Sequence, residues 1–214
     1  MGFIEYIAIN YTEIGIAVWK HFYLFAISMF FSVLIGISLS IFITAEGREK
    51  IGRILLAVTG AAQAVPSVAV VALVFIFVGI GAFPAIISLV IYSLVPIVFN
   101  ATSGILNVPP RVVDAAKGMG MTNTQILWKV KIPMAISVIM SGIRSAATIN
   151  IGTATVAAII GGGGLGDMIF TGIKLNQPRL IIIGAVLAAS MAIIVDTIIG
   201  VFETRITPEG LKIS

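Results

Sequence analysis

The sequence predicts an all-α integral membrane protein with five transmembrane helices, and three observations carry that expectation. Hydrophobic residues make up 59% of the 214 and charged residues only 10%, where soluble domains carry about a quarter charged residues. Five apolar runs each reach the roughly 20 residues needed to cross hydrocarbon. The remaining charge gathers in the connections, most regularly in one island at 108–133, VPPRVVDAAKGMGMTNTQILWKVKIP. Cysteine is absent, which excludes a disulfide framework and thiolate metal sites. A net charge of +4 in such a chain reflects topology and does not imply nucleic acid.

Residues 1–20 alternate apolar and polar groups around Tyr6, Tyr11 and Trp19, the pattern of an interfacial helix lying on the membrane. Glu5 and Glu13 without a basic start argue against a secretory signal. Gly2 has Tyr6 where a myristoylation motif wants Ser or Thr. The first span is expected over 22–44. Its Gly36 and Ser40 are small residues through which a neighbouring helix can approach, and ordinary helical packing explains them as well. A polar hairpin at 45–53 follows. The second span, 54–78, is interrupted by Gln63, Pro66 and Ser67; a proline there frees a carbonyl that protein or water must satisfy. A tight turn at 79–84 leads to the third span, 85–106, which contains Tyr92 and Pro96. The fourth, 134–160, holds Arg144 and the polar series Thr148, Asn150, Thr153 and Thr155. After a glycine-rich connection, the fifth covers 180–202.

Within the island, Pro109 and Pro110 stop the preceding helix near Leu106, and Pro110 suits the first position of a new one. Val112, Val113 and Ala116 give that helix an apolar side; Arg111, Asp114 and Lys117 give it a wet one. Gly118 and Gly120 make a turn. Thr122 followed by Gln125 forms a capping box that opens a second short helix, and Pro133 begins the next apolar run. The expected result is helix, glycine turn, helix.

This loop resembles the cytoplasmic signature loop of the membrane-spanning subunits of bacterial binding-protein-dependent ABC importers. The family pattern is Glu-Ala-Ala, three residues, Gly, nine residues, Ile, one residue, Leu-Pro. Here it stands as Asp114-Ala115-Ala116, Gly120, Val130 and Ile132-Pro133 at the same spacing, with Asp for Glu, Val for Ile and Ile for Leu. The resemblance covers about 21–202 and implies a type I ABC importer permease fold, whose coupling helices sit in a groove of an ATPase subunit. Asp114, Ala115, Ala116, Gly118, Gly120, Ile132 and Pro133 are the implied coupling residues. The partners implied are two ABC ATPase subunits, a second permease that is identical or paralogous, and an extracytoplasmic substrate-binding protein. Without a partner, the same residues read as an ordinary amphipathic interfacial loop.

Orientation follows from basic residues in the connections. Arg48, Lys50, Arg53, Arg111, Lys117, Lys129, Lys131, Arg205 and Lys212 collect on one side, against Lys20, Lys174 and Arg179 on the other. The richer side is expected in the cytoplasm, leaving the N-terminus outside and the C-terminus inside a bacterial cell membrane. The expected organisation is an interfacial segment 1–20, a permease domain 21–206 with its coupling loop at 108–133, and a cytoplasmic tail 207–214.

GGGGLG at 161–166 satisfies G-x-G-x-x-G formally, but the acidic residue expected about twenty positions on is replaced by Gly184, Ala185 and Val186. The stretch 149–167, INIGTATVAAIIGGGGLGD, instead is similar to its counterpart in permeases for glycine betaine, carnitine and choline. That resemblance implies quaternary-amine osmoprotectants as the solutes. The stretch reads as an outer gate, a face for a binding protein, or a purely structural turn.

Arg144 and Asp196 are the ionisable groups deepest in the expected spans. They either line the pathway or tie two helices as an ion pair. Gln63, Pro66, Ser67, Thr148, Asn150, Thr153 and Thr155 are candidates for a route that binds weakly enough to release; interhelical hydrogen bonding accounts for the polar ones equally well. Phe75, Phe77, Tyr92 and Phe99 invite a cation–π reading for a quaternary ammonium, beside the plainer one of packing or lipid contact.

His21, the single histidine, excludes H-E-x-x-H zinc chemistry and leaves no base for a triad elsewhere. The sequence has no G-x-S-x-G elbow and no phosphate-binding P-loop. No cofactor or metal is expected in this chain, and ATP with magnesium belongs to a partner ATPase. Alternatives are a permease for another small solute such as an amino acid, a stand-alone secondary carrier or channel, whose usual internal repeat is not evident, and an intramembrane enzyme.

Overall fold

The computed structural model describes residues 3–207. The myristoylation reading at Gly2, the basic Lys212 and all but the first residue of the tail 207–214 lie outside the described residues. Those described are mainly helical, with no strand among them. Ten α-helices run in order: α1 (Phe3–Ile9), α2 (Tyr11–Ile43), α3 (Glu49–Ala62), α4 (Ser67–Val78), α5 (Ala82–Leu106), α6 (Pro110–Gly118), α7 (Asn123–Ile126), α8 (Ile132–Ala157), α9 (Leu165–Lys174) and α10 (Pro178–Ile206). A π-helical turn, Leu127–Lys131, joins α7 to α8, and a 3₁₀ turn, Ala158–Ile160, ends α8.

Four helical stretches are long and apolar enough to cross a membrane: α2, α5, the joined helix Asn123–Ile160, and α10. The second expected span breaks at 63–66 into α3 and α4, which together supply a fifth crossing if the pair counts as one. Pro66, with φ −61° and ψ 135°, is the extended residue before α4. The Tyr92 hydroxyl reaches the Val65 carbonyl at 3.3 Å, so protein satisfies an acceptor loosened by the break.

Three boundaries differ from the sequence expectation. No helix ends at residue 20: α2 is continuous from Tyr11, and the break falls at Asn10, whose side-chain amide donates to the Tyr6 carbonyl at 2.9 Å in competition with backbone pairing. The glycine-rich connection contains a helix, α9, of ten residues. The second helix of the island does not stop before Pro133 but runs into α8 through the π turn. The Ile132 amide donates to the Leu127 carbonyl, five residues back. That widened turn falls directly before a proline whose ring crowds a regular α-turn.

The chain clusters into two compact units. One gathers the described residues through Phe31 with Val65–Ser93 and Ala147–Val195. Its core holds Leu24, Val71, Ala85, Leu89, Ala154, Ala157 and Ile160. His21 is fully buried there, with Nε2 3.1 Å from the Ile151 carbonyl and Nδ1 without a hydrogen-bond partner. Gly164 lies so close to the His21 backbone that a Cβ on it would come within 3.0 Å of the His21 Cα.

The other unit gathers Ser32–Ala64, Leu94–Ala146 and the described residues from Asp196 onward. Ala101, Ile105, Ala135 and Ile139 form its core, with Ile37, Ile41, Leu127, Ile132 and Ile143 packed around them. Gly36 faces Ile97 and Leu94, the close helix approach that its size admits. The expected coupling loop belongs wholly to this unit.

Candidate functional site

The loop between α5 and α8 is built by local chemistry. Pro109 is extended, and Pro110 opens α6 at its first position, where the missing amide costs no helical hydrogen bond. At the far end, the Gly120 amide donates to the Lys117 carbonyl at 2.9 Å and the Met121 amide to the Ala116 carbonyl at 3.1 Å. These two bonds, with Gly120 at φ +81°, make a Schellman turn. Space is open beside Gly120, so backbone conformation is what calls for glycine there. Thr122 and Gln125 then close the capping box in both directions: the Thr122 amide donates to Gln125 Oε1 at 2.9 Å, and the Gln125 amide to Thr122 Oγ1 at 3.3 Å.

Of the residues expected to couple, Asp114, Ala115, Gly118 and Gly120 are exposed. Ala116 is buried and anchors the turn from inside, so it presents no surface. Ile132 and Pro133 are half-buried at the start of α8. Met119 is 75% exposed and Trp128 55%, which adds large apolar side chains to the surface of an otherwise polar loop; the sequence reading passed over both.

The candidates for a route through the spans separate by environment. Asn150 is fully buried and its amide donates to Ser28 Oγ at 2.9 Å and Ser93 Oγ at 2.8 Å, knotting α2, α5 and α8 within the first unit. Thr153 is also buried, and Thr155 Oγ1 donates to the Gly152 carbonyl of its own helix at 2.7 Å. Gln63, Pro66 and Thr148 are exposed and Ser67 is half-buried. Of the aromatic residues, Tyr92 holds the Val65 carbonyl, Phe99 lies against Gly60, and Phe75 and Phe77 are exposed.

Arg144 and Asp196 do pair. Nε and Nη2 of Arg144 donate to the two Asp196 oxygens at 2.9 Å each, a bidentate fork. Nη1 donates to Glu203 Oε2 at 3.0 Å, a partner absent from the sequence-derived set although it follows Asp196 by two turns of α10. The guanidinium lies over Gly200. Side-chain exposures are 36% for Arg144, 39% for Asp196 and 20% for Glu203, so the cluster reaches the surface of the single chain. One guanidinium against two carboxylates leaves it net negative.

In the first unit, α9 begins with Gly164 and carries Asp167 in its first turn. Partial burial pushes the Asp167 carboxyl above its ordinary range, against the opposing pull of Lys20 and Lys174. Its far end is another Schellman turn, with the Gln177 amide donating to the Gly172 carbonyl at 2.7 Å and Asn176 at φ 51°. Among the described residues, no cluster of His, Cys, Asp and Glu has the arrangement of a metal site.

Several helices long and apolar enough to cross a membrane, joined by a structured polar loop, define the class of a multi-pass membrane protein. The sequence model of the binding-protein-dependent transport system inner membrane component matches residues 32–208, and the chain belongs to that family. Its members are permeases of importers that work with an ATPase and a second permease. The carnitine transport permease protein OpuCB of Listeria monocytogenes is 38% identical, over 95% of this chain and 92% of that protein. The glycine betaine/carnitine/choline transport system permease protein OpuCB of Bacillus subtilis (strain 168) is also 38% identical, over 90% and 88%. Among solved structures, the MetNI methionine ABC transporter in an inward-facing conformation has a chain that superimposes with a TM-score of 0.77 at 20% identity, covering 91% of this chain and 96% of that one. At that identity the likeness establishes the fold: that of an ABC importer permease.

Proposed function

We propose that this chain is the membrane-spanning subunit of an ATP-driven importer for quaternary-amine osmoprotectants, namely glycine betaine, carnitine or choline. The solutes for which its OpuCB relatives are named support this solute class. The observation that carries the mechanism is the loop at 114–133: a Schellman turn at Gly120 followed by a closed capping box makes two short helices with a fixed angle between them. Such a rigid polar element transmits a push better than a flexible loop does.

In this reading Asp114, Ala115, Gly118 and Gly120 meet the ATPase, with Met119 and Trp128 adding apolar contact. Ala116, Ile132 and Pro133 hold the loop to its own chain. Two ATPase subunits bind ATP and magnesium, a second permease, identical or paralogous, completes the pathway, and an extracytoplasmic binding protein delivers the solute. The excess of basic residues in the connections on the loop's side supports an orientation with this loop and the C-terminus in the cytoplasm and the N-terminus outside. Helix α1 is the interfacial element, and the permease domain begins with α2 at Tyr11. Gln63, Pro66, Ser67, Thr148, Thr155 and the Arg144–Asp196–Glu203 cluster are the pathway candidates that reach a surface; charges within a span avoid lipid and face protein or water.

The test is to isolate the chain from native membranes in mild detergent, identify the co-purifying subunits by mass spectrometry, and reconstitute the complex in proteoliposomes. ATP-driven uptake of labelled glycine betaine, carnitine or choline is expected. Gly120→Asp forces a Cβ onto a left-handed position at a cost of about 1–2 kcal/mol and adds charge to the contact. It is expected to abolish uptake while the protein remains in the membrane, and normal uptake by the variant would overturn the coupling role.

A further inference from the structure

The coupling loop is covalently attached to α5 and α8 only; α2 and α3 feel its motion through contacts alone. We propose that the turn at 44–48, between α2 and α3, is a second arm of the coupling device, with Glu46 as the positioning residue that ties it to the loop through Asn123.

The geometry is confined to one unit. Glu46 Oε2 accepts a hydrogen bond from Asn123 Nδ2, across 77 positions of sequence. Asn123 is the first residue of α7, directly after the capping Thr122. The box is closed by Thr122 and Gln125, so the Asn123 side chain is left to reach outward. The turn is itself fastened to the end of α2. Thr44 Oγ1 donates to the Ser40 carbonyl at 2.6 Å, Arg48 Nη1 donates to the Phe42 carbonyl at 3.3 Å, and the Arg48 guanidinium stacks 3.9 Å over the Phe42 ring. A rigid arm therefore ends in a carboxylate on the first residue of a coupling helix.

Beneath this link lies a cavity of about 300 Å³, whose lining includes Glu46, Glu49, Lys117, Lys131 and Asn123. Its walls carry carboxylates and ammonium groups beside apolar side chains such as Ile126 and Leu127, and across this space the Glu46–Asn123 bond is the polar link between the arm and the loop. A polar link of this kind fixes register between two elements while leaving them free to move as one. Displacement of α6 and α7 then reaches α2 and α3 through Glu46, at the same time as it reaches α5 and α8 along the chain.

This inference rests on the coupling role proposed above, and the experiment separates the two. In the reconstituted importer, solute taken up per ATP hydrolysed is measured for Glu46→Ala, Asn123→Asp and the double variant Glu46→Gln with Asn123→Asp. Each single variant is expected to lower that ratio about threefold to fivefold, the range of one exposed charge-assisted bond, with ATP hydrolysis continuing. The double variant exchanges donor and acceptor, because the glutamine amide donates to the new carboxylate, and it is expected to restore the ratio. Single variants at the wild-type ratio, or a double variant no better than Asn123→Asp, would overturn the role of Glu46 and leave the coupling reading standing. A wild-type complex without ATP-driven uptake would overturn both.

Discussion

Two polar clusters sit inside apolar helices of this chain, and they are made differently. Around Asn150 three neutral side chains from three helices are fully buried and bonded to one another. Around Arg144 three charged side chains from two helices form a fork and a single bond while reaching the surface. A neutral knot is small enough to be enclosed, and its worth is that of interhelical hydrogen bonds. A charged cluster is costly to enclose in hydrocarbon, and such groups normally face protein or water. The buried Asn150 knot is thus accounted for by packing, whereas the Arg144 cluster leaves charge at the surface of the single chain.

Three substitutions press on that contrast. Arg144→Ala strands two carboxylates beside each other in a membrane helix, so folded protein in the membrane is expected to fall about tenfold, measured by detergent extraction and size-exclusion chromatography. Wild-type yield would mean that the carboxylates are solvated without Arg144. Asn150→Ala removes the centre of the neutral knot. Interhelical hydrogen bonds in membranes average about 0.6 kcal/mol, with a maximum near 1.7, so a loss of about 1 kcal/mol is expected in a thermal or denaturant titration, with uptake per folded molecule unchanged. A transport defect without a stability defect would move Asn150 to the pathway. Glu203→Gln keeps an acceptor for Arg144 while removing the excess charge. Folded yield is expected to stay within about twofold, with uptake of the choline cation lowered relative to zwitterionic glycine betaine. Equal effects on the two solutes would make the cluster purely structural.

What the sequence disclosed follows from how local each signal is. Pro110, Gly120 and the Thr122–Gln125 pair act within a few residues, and their geometry is as the spacing predicted. Arg144 and Asp196 were matched because two charges in hydrocarbon have few other options. Glu203 lies one position beyond the expected fifth span, which ends at residue 202, whereas α10 continues to Ile206. Helix α9 has only ten residues, too short for a span-length window, although Asp167 near its start and Lys174 at its end follow the helix dipole. The burial of Asn150 and Thr153 had no sequence signature, since a polar residue on a helix looks the same facing a neighbour or a channel. Glu46 finds Asn123 only through the fold.

His21 offers a consequence of another kind. It is the one histidine in the sequence, it is enclosed, and the Gly164 turn rests on its backbone. Deuterium exchange at the imidazole C2 is slow chemistry that needs solvent, so this ring is a built-in clock. Its exchange half-life reports the fraction of time for which the packing of α2, α8 and the glycine turn is open, with no engineered residue and no second histidine signal to subtract.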